Sequence, residues 1–298
     1  VLEVQDVNKS YGERAVLQEV SFTVGRGRMT GFVGGNGAGK TTTMRIILGV
    51  LAADAGTVSL DGSPLTAADR RHFGYMPEER GLYPKMRVHE QLVYLARLHG
   101  FKPAAARRNA TALLEQLGLG ERANDTVESL SLGNQQRAQI AAALVHEPEV
   151  LVLDEPFSGL DPMAVDVVLG VLQSHAAGGA PVLFSSHQLD IVERLCDDLV
   201  IIADGRIRAN DSTDSLRKQH GGNRYEILLG GDRGTGDAGW LREVPGVSMI
   251  DFDGGYALFE ADDEARAAVL ARAVASGQLA SFGPHAPSLA QVFREVIR

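Results

Sequence analysis

The chain has 298 residues, 44% hydrophobic and 22% charged, with a formal net charge of −9, which suits about two globular domains at ~150 residues each. No apolar run approaches the ~18 residues needed to span a bilayer, no basic stretch followed by an apolar one reads as a secretory signal, and lysine and arginine nowhere cluster densely enough to track a phosphodiester backbone. A membrane-crossing chain, a secreted one and a nucleic-acid binder are therefore not expected, and a cytoplasmic place is; the single cysteine, Cys196, has no disulfide partner and reads as a buried, inert thiol.

Residues 1–7 and 20–24 alternate apolar with polar, the period of two half-buried strands. Between them lies Lys9-Ser10-Tyr11-Gly12, where Tyr11 is either a platform for a purine face or a packing residue at a turn. A strand over 28–33 then runs into Gly34-Gly35-Asn36-Gly37-Ala38-Gly39-Lys40-Thr41-Thr42, and apolar residues at helical spacing follow over 42–48. The loop fills the pattern G-x-x-x-x-G-K-[ST] with Gly34, Gly39, Lys40 and Thr41 in the strand–loop–helix setting the pattern requires. Glycines let backbone N–H groups turn inward around phosphate oxygens, the positive end of the helix adds a favourable field, and Lys40 supplies a point charge to the outer phosphates. Thr41 or Thr42 offers a hydroxyl to Mg²⁺. These residues predict a nucleoside triphosphate site.

Residues 56–62 read as a strand ending in an Asp61-Gly62 turn, and 72–76 as another. From 88 to about 119 the apolar period becomes helical, through Leu92, Leu95, Ala96 and Leu98 and then Ala112, Leu113 and Leu117, which predicts a helical insertion. Ser131-Leu132-Gly133-Asn134 opens a further helix over 136–145; a serine there serves as an N-cap or as part of an anion site. Val150–Leu153 is a continuous apolar run bounded by Pro148 and Asp154-Glu155-Pro156, the mark of a parallel strand buried on both faces. Its carboxylates fall at the C-terminal edge, where open α/β sheets bind ligands. Asp154 can reach Mg²⁺ there, and Glu155 can polarise a water in line with the γ-phosphate, which suffices for a reaction that is mostly positioning and electrostatics. After the polar turn Ser158-Gly159-Leu160-Asp161, a strand over 181–185 ends in Ser186-His187 and brings an imidazole to the same edge. Strands over 199–202 and 205–208 and a short helix near 212–219 lead to a linker at Gly221-Gly222-Asn223. From Arg224 the composition shifts: no lysine, seven arginines against eleven acidic residues, and five glycines between 230 and 239. A small α+β domain over 224–298 is expected, with strands at 225–229, 247–252 and 256–260 and helices at 263–276 and 289–297.

Lys40, Ser131, Asp154, Glu155, Asp161 and His187 follow one another in the order and spacing of an ATP-binding cassette, and residues 1–220 closely resemble the nucleotide-binding subunit of an ABC transporter. The resemblance implies an α/β P-loop cassette with a helical subdomain at about 78–145. It implies ATP and Mg²⁺ as ligands, a second cassette (a copy or a homologue) paired head to tail, and a membrane permease as partner at the cytoplasmic face. By position it makes Tyr11 the adenine-stacking aromatic, Gly34 to Thr42 the phosphate loop, and Ser131, Gly133 and Asn134 the signature offered to the other copy's ATP. It makes Asp154 a Mg²⁺ anchor beside Thr41, Glu155 the base, Asp161 the inter-cassette loop and His187 the γ-phosphate switch. Glu78 stands where the family usually has a glutamine that touches Mg²⁺ and the attacking water, Leu132 and Asn134 where glycine and glutamine are usual, and Gly35 where proline is common. The stretch 77–84 and the tail Pro287-Ser288-Leu289 to Val292-Phe293 are similar to a bacterial exporter subgroup linked to drug or antibiotic efflux and, in some members, to sodium extrusion. The expected function is an ATPase subunit that powers export of drugs or other hydrophobic compounds, with sodium export or a soluble non-transport ATPase as alternatives.

Overall fold

Alternating patterns at the start of the chain fold into a hairpin, β1 (Leu2–Tyr11) and β2 (Arg14–Val24), in a computed structural model that describes residues 1–230 and 236–297. The second strand begins earlier than its alternation predicts, because a bulge with Glu19 at φ 52° breaks the period there. β3 (Met29–Val33) leads through the phosphate loop into α1 (Lys40–Ile47), and β4 (Ala55–Leu60) with β5 (Ser63–Pro64) returns to the hairpin, giving an antiparallel sheet in the order β2-β1-β4-β5.

β6 (Phe73–Met76) enters the helical insertion, which is α2 (Val88–Leu98), α3 (Pro103–Gln116) and α4 (Leu132–Leu144). The predicted helical run breaks where Gly100 takes φ +89° and Pro103 restarts the chain as the first residue of α3. β7 (Val150–Leu153), α5 (Pro162–Ala177), β8 (Val182–Ser186), α6 (Leu189–Leu195), β9 (Asp198–Ala203) and β10 (Arg206–Ser212) complete a second sheet. Its order is β10-β9-β3-β8-β7-β6, parallel throughout except for the edge strand β10.

The main core fills the space between the two sheets. Leu2, Val4, Leu17 and Phe22 from the first meet Phe32, Val150, Val152, Leu183 and Val200 from the second, and Met44, Ile46 and Ile47 of α1 pack with them. All four residues of β7 are fully buried, as a parallel strand covered on both faces requires. Cys196 caps α6 with its thiol buried, and burial pushes its pKa well up, so it is held as the neutral thiol.

The chain separates into two compact units, Val1–Thr213 with Phe293–Arg298, and Asp214–Val292. After α7 (Thr213–Gly221), the second unit contains β11 (Arg224–Leu229), β12 (Val247–Asp253), β13 (Tyr256–Ala261), α8 (Asp263–Ala275) and β14 (Leu279–Pro284), and α9 (Leu289–Val296) follows. Its antiparallel sheet, β12-β13-β11-β14, buries Tyr225, Ile227 and Leu229 with Ala257, Phe259 and Ala261 beneath Ala265, Val269 and Ala273 of α8, which are spaced four residues apart on one helix face. β14 is an element the sequence pattern does not reveal. Of the glycines in the 230–239 segment, Gly231 and Gly234 lie outside the described residues.

Candidate functional site

Four parallel strands end at one edge, and each hands a chemical group to it: β3 the phosphate loop, β6 Glu78, β7 Asp154 and Glu155, and β8 His187. A cleft of about 770 Å³ opens there, lined by Asn36, Gly37, Gly39, Lys40, Thr41, Thr42, Glu78, Asp154, Glu155 and His187, with Tyr11, Arg14 and Val16 from the first hairpin. Tyr11 is half exposed at 52%, with Lys9 Nζ over its ring at 5.8 Å from the centroid.

The loop is shaped by glycines at places where nothing else fits. A Cβ on Gly34 would meet the Ile202 carbonyl oxygen at 2.4 Å, and Gly39 caps α1 in a left-handed conformation at φ 111°. No side chain caps α1 and its first turn holds no acid, so its leading N–H groups remain available to an anion. Lys40 Nζ donates to the Gly34 and Gly35 carbonyls at 2.7 and 3.2 Å, which holds the ammonium inside its own loop.

Asp154 is 1% exposed. Its Oδ2 accepts the Thr41 hydroxyl at 2.9 Å and its Oδ1 the Ser185 hydroxyl at 2.5 Å. Among the described residues no basic side chain pairs with it, and the half-buried phenol of Tyr75 is raised in pKa by burial and then by the Asp154 charge. A buried carboxylate with a neighbouring hydroxyl and no counter-charge is the oxygen donor set of a hard divalent cation, so these residues fit Mg²⁺.

Glu155 follows in a left-handed conformation at φ 53°, which costs a non-glycine residue about 1–2 kcal/mol and persists only where neighbours hold it. They do: its N–H donates to Ser185 Oγ at 2.9 Å, and its carbonyl accepts from Gln136 Nε2 at 3.1 Å. The turn aims the carboxylate into the cleft, where His187 Nδ1 lies 2.9 Å from Glu155 Oε2.

Ser131, Gly133, Asn134 and Asp161 do not line this cleft. Ser131 caps α4, its Oγ accepting from Asn134 N at 3.4 Å; Asn134 Oδ1 accepts from Arg137; Asp161 caps α5, accepting from Ala164 N at 2.8 Å. Ser131 nevertheless lies on an exposed turn beside Leu132, which is 61% exposed. Sequence reasoning did not single out Ser185, Gln136, Gln139, Arg14 or Val16. The signal for Ser185 was a polar residue closing a buried apolar strand, and for the glutamines a polar pair one turn apart on an otherwise alanine-rich helix.

Residues 17–158 match the family model described as ABC transporter, and residues 212–297 match that of the ATP-binding protein DrrA1-3-like C-terminal domain. An ABC transporter ATP-binding protein of Bacillus subtilis, YhaQ, is 35% identical over 100% of this chain and 98% of its own. The chain belongs to the ABC transporter ATP-binding proteins.

The cassette is also 39% identical to the Nod factor export ATP-binding protein I of Paraburkholderia xenovorans over 72% of each chain, and 35% identical to the linearmycin resistance ATP-binding protein LnrL of Bacillus subtilis over 74% of this chain and 72% of that one. A solved ATP-binding subunit of an ABC transporter superposes with a TM-score of 0.68 at 37% identity, covering 74% of this chain and 93% of that one. The α/β P-loop cassette expected from sequence is thus the fold found. ABC cassettes bind ATP, normally with Mg²⁺, hydrolyse it for transport, dimerise, and work with membrane permeases. Among the described residues no helix is long and apolar enough to cross a membrane.

Proposed function

We propose that this chain is the ATPase subunit of an exporter, hydrolysing ATP where a second cassette closes over the cleft and driving a separate permease at the cytoplasmic face of the membrane. The observation that carries the reading is the meeting of Lys40, Thr41, Asp154, Glu155 and His187 at one sheet edge, with Tyr11 across the cleft. Residues 1–220 are the cassette, with the helical subdomain at about 78–145, and 224–298 a small α+β domain.

In this reading Tyr11 stacks the adenine, residues 34–42 surround the phosphates, and Lys40 neutralises the outer ones. Thr41, Asp154 and Glu78 would hold Mg²⁺, which when bound neutralises charge on the β- and γ-phosphates. Glu155 takes a proton from the attacking water, and the Nδ1–H of His187 holds that carboxylate in place. Ser131, Gly133, Asn134 and Asp161 complete the site of the other copy, which accounts for their lying outside their own cleft, Ser131 and Asp161 as exposed helix caps and Gly133 and Asn134 in the first turn of α4. Glu78 places negative charge where an amide is usual, so it slows turnover without abolishing it.

Two resemblances support export: relatives named for Nod factor export and for linearmycin resistance. Drugs or other hydrophobic compounds are the proposed cargo. The permease docks beside Tyr83, Lys85 and Arg87, where Tyr83 is 67% exposed and its backbone is tied to α2 by Gln91, through Tyr83 N to Gln91 Oε1 at 3.0 Å and Gln91 Nε2 to Tyr83 O at 3.3 Å. The test is reconstitution with the permease that co-purifies, following hydrophobic-drug efflux and ATPase rate together. Tyr83→Ala and Arg87→Ala are expected to keep hydrolysis and lose efflux. Parallel loss of both in an assembled complex contradicts the docking role, and drug movement inward, or sodium movement alone, overturns the cargo assignment.

A further inference from the structure

α4 carries two buried glutamines one turn apart, Gln136 and Gln139, each 4% exposed. Gln136 Nε2 donates to the carbonyls of Glu155 and Pro156, both at 3.1 Å. Gln139 Nε2 donates to the carbonyls of Pro77 at 2.8 Å and Glu79 at 3.2 Å. In each case the two hydrogens of one amide nitrogen satisfy two backbone oxygens of a loop, and they do so without bringing a charge into the buried seam. The first loop carries Glu155. The second carries Glu78, and Gln139 grips the residues on either side of it, so the grip fixes the backbone from which the Glu78 side chain enters the cleft. The far end of that loop is pinned to α2 by the Tyr83–Gln91 pair.

The two grips share one rigid body. α4 begins at the Ser131-capped turn, and its buried face continues through Ala138, Ile140 and Ala141. A helix held in register by its own hydrogen bonds moves as a unit, so a displacement of its Ser131 end reaches both loops through Gln136 and Gln139. A buried amide that lost its partners would be left with unsatisfied donors out of reach of water, which makes the grip a strong constraint and not incidental packing.

We propose that Gln139 is a positioning residue for Glu78 and that, with Gln136, it makes α4 the common anchor of Glu78 and Glu155. The inference rests on the ATPase reading above and adds to it how the signature end and the catalytic loops are joined.

The test uses the full chain with Gln139→Met, which keeps length and apolar volume but removes the donor, in a double-mutant cycle with Glu78→Ala; Gln136→Met is the companion. Backbone hydrogen exchange of segment 77–83, ATP affinity, and ATPase rate against Mg²⁺ concentration are measured. Gln139→Met is expected to speed exchange in 77–83 by about tenfold, the worth of the lost hydrogen bonds. ATP affinity should stay within about twofold, and the Mg²⁺ requirement should rise by about tenfold, a rise that should be absent when Glu78 is already alanine. Gln136→Met should slow turnover and leave exchange in 77–83 alone. Should methionine not be accommodated, Gln139→Asn carries the same test with the donor on a shorter arm. Native exchange in 77–83, or an equal rise in the Mg²⁺ requirement from Gln139→Met with and without Glu78, overturns the proposal. A wild-type chain that binds no ATP overturns the ATPase reading instead, while the exchange measurement still reports on the grip.

Discussion

Asp154 and Glu155 are adjacent in sequence but are held for different tasks, and one hydroxyl serves both. Ser185 donates to Asp154 and accepts from the Glu155 N–H, so it fixes the buried carboxylate and the left-handed turn together. Ser185→Ala should therefore lower stability by about 1–3 kcal/mol, measured by urea unfolding, and slow turnover more than it weakens ATP binding. Glu155→Gln should bind ATP and hydrolyse it at least about 10²-fold more slowly, because the amide keeps the shape and loses the base; near-normal turnover would remove Glu155 from the chemistry. Lys40→Ala should instead abolish tight ATP binding, which equilibrium dialysis would show directly. These residues were legible because each follows a strand with a strong pattern: the phosphate loop after 28–33, the carboxylates after Val150–Leu153, the imidazole after the strand ending at Ser186. Ser185, Gln136 and Gln139 were not, because what each does depends on backbone groups 19 to 62 positions away, and no local spacing encodes such a partner.

At the scale of elements, the parallel sheet was readable and some of what surrounds it was not. α5 has a start signal in Asp161-Pro162, but Val165, Val167, Val168 and Val171 give its middle a strand-like composition, and exposed Met163 and Val167 blur the helical stripe. β14 is an edge strand containing Gly283-Pro284, residues that argue against strand when read alone. The contact of α4 with β6 is close: a Cβ on Gly74 would meet the Ala143 carbonyl oxygen at 2.3 Å. Gly74→Val should thus push α4 off the sheet and cost about 1–3 kcal/mol in unfolding experiments. The same seam holds a pH-sensitive group. His146 is buried, its ring stacks on His99 with centroids 3.7 Å apart, and burial, with the nearby imidazoles, lowers its pKa to about 4. The unfolded chain binds a proton near pH 6.5 and the native one does not until about 4. Stability attributable to this group is therefore full above 6.5 and falls, by up to roughly 3 kcal/mol, as pH drops toward 4. His146→Gln should flatten that part of the curve in denaturant melts at pH 7 and pH 5; an unchanged difference between the two pH values would contradict it.

The whole molecule presents a cleft with a phosphate loop, metal-fitting oxygens and a held carboxylate, and it presents Ser131 and Asp161 on turns outside that cleft. In the proposed dimer the second group of one copy lies over the first group of another. Each hydrolytic site then needs the Lys40 of one chain and the Ser131 turn of its partner, so activity should rise with protein concentration. Mixing two inactive variants tests this most directly. Lys40→Ala lacks the phosphate charge, and Ser131→Arg fills the turn offered to the partner; ATPase activity is measured for each alone and for an equimolar mixture. Two nearly inert proteins are expected, whose mixture recovers about a quarter of wild-type activity, because about half of the random dimers carry one intact composite site. Full activity of Ser131→Arg alone, or no recovery in a mixture shown to form mixed dimers, would contradict the composite site.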